Sequence, residues 1–333
     1  MTRESRRPMA RTGMAGSRRS TAAPRSLIRS LIAVPGLVAV AILLAAGCST
    51  AESRAAGSQR IVRVTAAENF WGSIARQLGG SHAHVISIIS NPNADPHSYE
   101  ATAADARAVA SSRIVIENGV GYDPWMARLL AADDGAGISV LNVGAALGVP
   151  ANGNPHRWYN PADVHTVIAK LTARLSRADP ADRRYFASRE ARLTRVGLHR
   201  YDELIASIRR RYGGTPVGAS ESIFAMLAPA LGLRLDTPAS FLKAITEGTE
   251  VSAADKQTAD TQISRHLIKI YVYNSQNVTP DVRGQLAAAR AARIPVASIT
   301  ETLTPPTVSF QAWQVRQLAG IEHALAIAAG RQA

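Results

Sequence analysis

Short apolar, β-branched runs alternate along this chain with segments whose apolar residues recur every three to four positions. In the first half the strand candidates are 61–66, 85–89, 114–116 and 138–143. Between the first two, Phe70, Ile74 and Leu78 fall on one helical face, closed by Gly79-Gly80. Asp123-Pro124 reads as a helix N-cap followed by proline at the first helical position. Asp179-Pro180 then opens a proline-free stretch, 181–212, with Phe186, Leu193, Val196, Tyr201, Leu204, Ile208 and Tyr212 near a 3.6-residue period and Gly213-Gly214 at its end. One helix of ~31 residues would be ~46 Å long at ~1.5 Å per residue, enough to cross from one lobe to another. Two helices broken near Gly197 are the alternative. The second half offers strands at 216–219, near Leu233, at 268–273 and at 295–299, with helices at 222–231 and 253–266. Strands alternating with helices predict an α/β fold with mainly parallel sheets. No close sequence repeat relates the halves.

The N-terminus stands apart from this pattern. Residues 1–30 carry eight arginines and one acid, and residues 31–46 are apolar, broken by Pro35-Gly36. Sixteen residues fall short of the ~20 that span a bilayer. A basic stretch, a short apolar run and small residues read as an export signal. Its start is open between Met1, Met9 and Met14, and Arg18-Arg19 leaves open the twin-arginine route. Leu44-Ala45-Ala46-Gly47-Cys48 holds the one cysteine and resembles a bacterial lipobox, with Cys48 as the lipidated residue. A chain processed there has no thiol left for disulfides, metal or catalysis.

This changes the meaning of the charge. The whole chain is +13, but without residues 1–47 there are 30 Lys+Arg against 24 Asp+Glu, or +6. Nucleic-acid binding thereby loses its main support. The chain divides into a signal (1–47), a small, polar tether (48–59), an N-terminal α/β lobe (60–178), a linking helix (179–213) and a C-terminal α/β lobe (214–333), with a core expected in each lobe.

In open parallel sheets ligands sit beyond the carboxyl ends of the strands. Four metal-capable residues fall there: His97 after the second strand, His156 after the fourth, Glu221 after 216–219 and Glu301 after 295–299. Prolines flank both histidines, in Asp95-Pro96-His97 and Asn154-Pro155-His156. Two neutral imidazoles and two carboxylates balance a divalent cation, and nitrogen plus oxygen donors accept zinc, manganese or ferrous iron. Glu100 is expected either to orient a ligand histidine or to sit in the first turn of a helix. His82 and His84 could form a surface pair. His165, His199, His266 and His323 read as surface or packing residues.

The stretches Asp95-Pro96-His97-Ser98-Tyr99-Glu100, Asn118-Gly119-Val120-Gly121-Tyr122, Asn154-Pro155-His156-Arg157-Trp158, Ser220-Glu221-Ser222-Ile223-Phe224 and Thr300-Glu301-Thr302 resemble the metal-binding lipoproteins that deliver zinc or manganese to bacterial ABC importers. The resemblance runs from about residue 60 to 329. It implies two α/β lobes joined by one long rigid helix, with the metal in the interlobe cleft. His97 and His156 would come from the first lobe, Glu221 and Glu301 from the second. Glutamate at 221 is similar to manganese-type members, where zinc-specific ones often have histidine. The fourth ligand is usually aspartate, so Glu301 is one methylene longer. No histidine-rich loop occurs in 131–154, and Asn160-Pro161 replaces the usual Asp-Pro; Asn160 is not assigned to the metal.

The expectation is a non-enzymatic monomer, exported and lipid-anchored at the cell envelope. It would capture Zn2+ or Mn2+, with Fe2+ also compatible, and hand it to a permease with an attached ATPase. The alternatives are a metal-dependent hydrolase with Glu301 as general base, a chelate binder, or an adhesive surface lipoprotein. H-E-x-x-H is absent.

Overall fold

The computed structural model describes residues 61–132 and 137–330; the expected signal, the tether and Cys48 lie outside them. Two four-stranded parallel sheets organise the described residues. The first is built from β1 (Val62–Glu68), α1 (Asn69–Gly79), β2 (Ala83–Ile89), α2 (Ala103–Ala110), β3 (Ile114–Glu117), α3 (Pro124–Ala132) and β4 (Ser139–Asn142), followed by a short α4 (Val143–Ala146) and α5 (Pro161–Ala178). Two further helices, α6 (Arg183–Arg192) and α7 (His199–Tyr212), lead to the second sheet. That sheet uses β5 (Pro216–Ala219), β6 (Arg234–Leu235), α8 (Ala239–Thr246), α9 (Ala253–Ser264), β7 (Ile270–Asn274), α10 (Pro280–Ala291) and β8 (Val296–Ile299), and α11 (Phe310–Ala328) closes the fold. The strand orders β2-β1-β3-β4 and β6-β5-β7-β8 are the same pattern repeated. The halves are thus alike in topology without a sequence repeat.

Helices cover both faces of parallel sheets, so their inner strands read as unbroken apolar runs. Every residue of β3 is buried, and six of the seven in β1 are. Phe70, Ile74 and Leu78 on α1 are at most 1% exposed, each worth ~1.5–3 kcal/mol of burial. Gly72 brings α1 down onto the sheet: a Cβ there would lie 2.0 Å from Ser87 Oγ.

Three expectations need correction. The lobes do not have separate cores: one continuous apolar cluster runs from Val62 through α5, α6 and α7 to Ala326, and a smaller one around Ala67, Val115 and Trp125 lies apart from it. The link 183–212 stays helical but contains a π turn at Leu193–Gly197, where Leu198 N–H bonds to Leu193 O at 2.8 Å. The wider turn shifts the phase of the apolar stripe, so Leu193, Leu198 and Tyr201 are buried while Val196 is 69% exposed. The segment 222–231 is a series of turns with only a short 3-10 piece, Phe224–Met226. Pro229 supplies no N–H and disfavours helix for Ala228, yet Ile223, Phe224, Leu227 and Leu231 remain buried.

The lobes also meet through polar contacts. Asn69 Oδ1 accepts from Leu303 N–H at 3.0 Å, Ser73 Oγ from Phe310 N–H at 2.9 Å, and Gln77 Oε1 from Gln311 Nε2 at 2.7 Å. None of the helices among the described residues is long and apolar enough to cross a membrane.

Candidate metal centre

His97 follows β2 in a turn locked by Asp95, whose carboxylate accepts from His97 N–H (2.9 Å) and Ser98 Oγ (2.7 Å). His156 follows β4 and α4. Asn154 Oδ1 accepts both His156 N–H (3.0 Å) and ring Nδ1–H (2.8 Å). A backbone N–H can only donate, so Asn154 presents its oxygen, and the imidazole carries its proton on Nδ1. That leaves the Nε2 lone pair free. Nε2 of His97 and Nε2 of His156 are both buried without a hydrogen-bond partner.

Both rings rest on Tyr122, at 4.8 Å from His97 and 5.9 Å from His156 between centroids. Tyr122 ends the turn Asn118–Tyr122, in which Gly119, Val120 and Gly121 all have positive φ (74°, 55° and 73°). Such a backbone is costly for a β-branched residue. Asp123 holds it: its carboxylate accepts the N–H groups of Asn118 (2.6 Å) and Gly119 (2.7 Å). The expected helix cap thus faces backward into the turn, with Pro124 opening α3.

From the second lobe, Glu301 Oε1 lies 3.7 Å from His156 Nε2. Donor atoms of His97, His156 and Glu301 all fall within 4.8 Å of one another, a spacing that one metal ion can bridge. Glu221 lines the same cleft, of about 790 Å³, but stands outside that group of three. Its carboxylate accepts from Asn274 Nδ2 on one oxygen and from Asn277 Nδ2 (2.8 Å) on the other. Asn274 Nδ2 also reaches Glu301 Oε2 at 3.3 Å.

Electrostatics separate the two carboxylates. Burial, then the neighbouring Glu301, pushes Glu221 up to about 8. Burial also acts to raise Glu301, but the adjoining His156 ring, with His97 and Tyr122 adding, holds its carboxyl below the ordinary value. Burial lowers His156, which favours the neutral imidazole. Without metal at neutral pH the cleft therefore holds a neutral His156, an ionised Glu301 and a protonated Glu221. Behind Tyr122, Glu68 is fully buried and raised well above its ordinary value by burial and by Asp123 and Glu117.

Glu100 is a correction. Its side chain is exposed, and Asn154 orients His156 instead. The capping box of α2 is formed by Thr102 and Asp105, so Glu100 precedes the helix rather than sitting in its first turn. Asn160 caps α5, accepting from Ala162 N–H at 3.0 Å. His82 stacks on Tyr185 at 3.8 Å and pairs with Asp182, while His84 is exposed. Asn154, Asn274, Asn277 and Gln276 were not anticipated. The signal for three of them was the run Asn274-Ser275-Gln276-Asn277, directly after an apolar strand.

The profile of the zinc-uptake complex component A, periplasmic, matches residues 64–324. The chain belongs to this family. Among its relatives, a putative metal-binding protein of Treponema pallidum is 24% identical over 204 residues, covering 54% of this chain and 63% of the relative. The manganese-binding lipoprotein MntA of Halalkalibacterium halodurans is 23% identical over 163 residues, covering 47% and 53%. The chain thus spans about half to two thirds of the length of these relatives. The SBP FpvC of Pseudomonas aeruginosa, solved in complex with Mn2+, has the same fold, with a TM-score of 0.66 at 19% identity, covering 80% of this chain and 99% of that one.

Proposed function

We propose that this protein captures a divalent transition metal ion, Mn2+ or Zn2+ with Fe2+ also accepted, outside the cytoplasmic membrane. It passes the ion to an ABC-type permease with its ATPase and is held at the envelope by a lipid on Cys48. The observation that carries this reading is the pair of buried, unpartnered Nε2 atoms converging with the Glu301 carboxylate. Buried polar atoms without partners are costly, and a cation satisfies both lone pairs at once. Family membership and the metal named for MntA and FpvC agree with it.

The ion meets His156 and Glu301 in their ligating forms. Glu221 loses its proton as the ion arrives and supplies the fourth donor, so two carboxylates balance the divalent charge. Ligands from both lobes make the ion a bridge across the cleft. Equilibrium dialysis of the purified protein against Mn2+ and Zn2+ tests the reading. One tightly held equivalent is expected; a protein that retains none of either ion overturns it.

A further inference from the structure

Gln276 lies in the loop after β7 and is neither a metal-type residue nor a neighbour of one in sequence. All four hydrogen-bonding positions of its side-chain amide are used. Oε1 accepts from the N–H groups of Glu301 (2.6 Å) and Thr302 (2.9 Å). Nε2 donates to Pro92 O (2.6 Å) and Thr302 Oγ1 (2.9 Å). Its own N–H donates to Asn274 Oδ1 at 3.0 Å, the amide whose nitrogen contacts both Glu221 and Glu301. Pro92 belongs to the loop that carries His97, 184 positions away in sequence from Gln276.

We infer that Gln276 is a positioning residue that fixes the span between the first-lobe and second-lobe halves of the metal site, and with it the choice of ion. One amide clamps the backbone of Glu301 from one side and the His97 loop from the other. Two backbone N–H donors and one backbone carbonyl define its orientation uniquely. Asparagine would be one methylene too short for both contacts; glutamate has the length but no donor for Pro92 O. Raw affinity for first-row metals follows a fixed order whatever the site, so discrimination against that order comes from geometry, and a site of set span supplies it. Groups that orient metal ligands change affinity roughly 10–100-fold when removed.

This inference rests on the metal-binding reading above, and the experiment separates the two. Wild type, Gln276→Glu and Gln276→Ala are compared by chelator competition for Mn2+ and Zn2+, by metal dissociation rate, and by thermal melting of the metal-free protein. Both variants are expected to bind roughly 10–100-fold more weakly, with faster dissociation, a changed Mn2+-to-Zn2+ affinity ratio and a metal-free melt close to wild type. Gln276→Glu keeps the size and the acceptor half of the clamp, so it guards against a misfolded alanine variant. Wild-type affinities in both variants overturn the inference while leaving the metal site intact. An equal weakening for both ions also overturns it, since that marks a general loosening. A wild type that holds no metal overturns the reading beneath it, and the inference with it.

Discussion

Asn154 Oδ1 sits 2.8 Å from Nδ1 of His156 and fixes which ring nitrogen faces the cleft. The same Asn154 donates from Nδ2 to Ser222 O at 2.7 Å, in the second lobe. The orientation of a first-lobe imidazole is therefore tied to the loop that carries Glu221.

Removing that hold frees the ring to rotate and to change tautomer. Asn154→Ala is expected to weaken metal binding roughly 10–100-fold. Asn154→Asp retains an acceptor for Nδ1–H and loses less. Competition against a chelator of known affinity measures both, and equal affinities for wild type and Asn154→Ala would contradict the assignment.

Binding is expected to depend on pH through Glu221, with a definite sign. Its carboxyl is pushed up to about 8 in the metal-free protein, so below that pH a proton must leave before the oxygen can ligate. Affinity is expected to rise with pH through neutrality, by about one decade per pH unit, and to level off above the shifted value. Calorimetry at pH 7 in buffers of different ionisation enthalpy should report about one proton released per ion. Glu221→Gln should bind more weakly and release none; undiminished release from that variant counts against Glu221 as its source.

Glu68 affects stability rather than binding. Its folded-state carboxyl is raised well above the ordinary value. Between the unfolded value of ~4.3 and the folded one, the unfolded chain gives up the proton that the fold keeps. Rising pH therefore costs up to ~1.4 kcal/mol per unit. That term is absent in Glu68→Gln, so the variant should gain on wild type as the pH rises from the unfolded value of ~4.3 towards the raised folded one. Denaturant midpoints across that range measure it, and parallel pH profiles would refute it.

Much of the site was legible because parallel sheets present ligands at strand ends. His97, His156, Glu221 and Glu301 were read from that rule, and all four line one cleft. Three converge; Glu221 does not, because Asn274 and Asn277 hold both of its oxygens. Those amides, and Gln276 beside them, lie at or just after the end of β7, a strand end without a metal-type residue. Strand positions in both halves followed from apolar runs, since buried parallel strands carry no alternating signal to misread. The π turn at Leu193–Gly197 was hidden because one wider turn leaves the average period near 3.6. The turns of 222–231 share the apolar content of a helix, and only Pro229 marked the difference. The shared core was hidden because the buried residues of α6, α7 and α11 join one cluster with those of both sheets, which residue periodicity alone does not record.

The central claim is that His97, His156 and Glu301 hold one ion together. Its most direct test is metal stoichiometry and competitive affinity of wild type beside His97→Ala and Glu301→Ala. One equivalent is expected in wild type and loss of tight binding in both variants, with the metal-free proteins still folded. Tight binding that survives Glu301→Ala would remove Glu301 from the site and contradict the three-residue convergence.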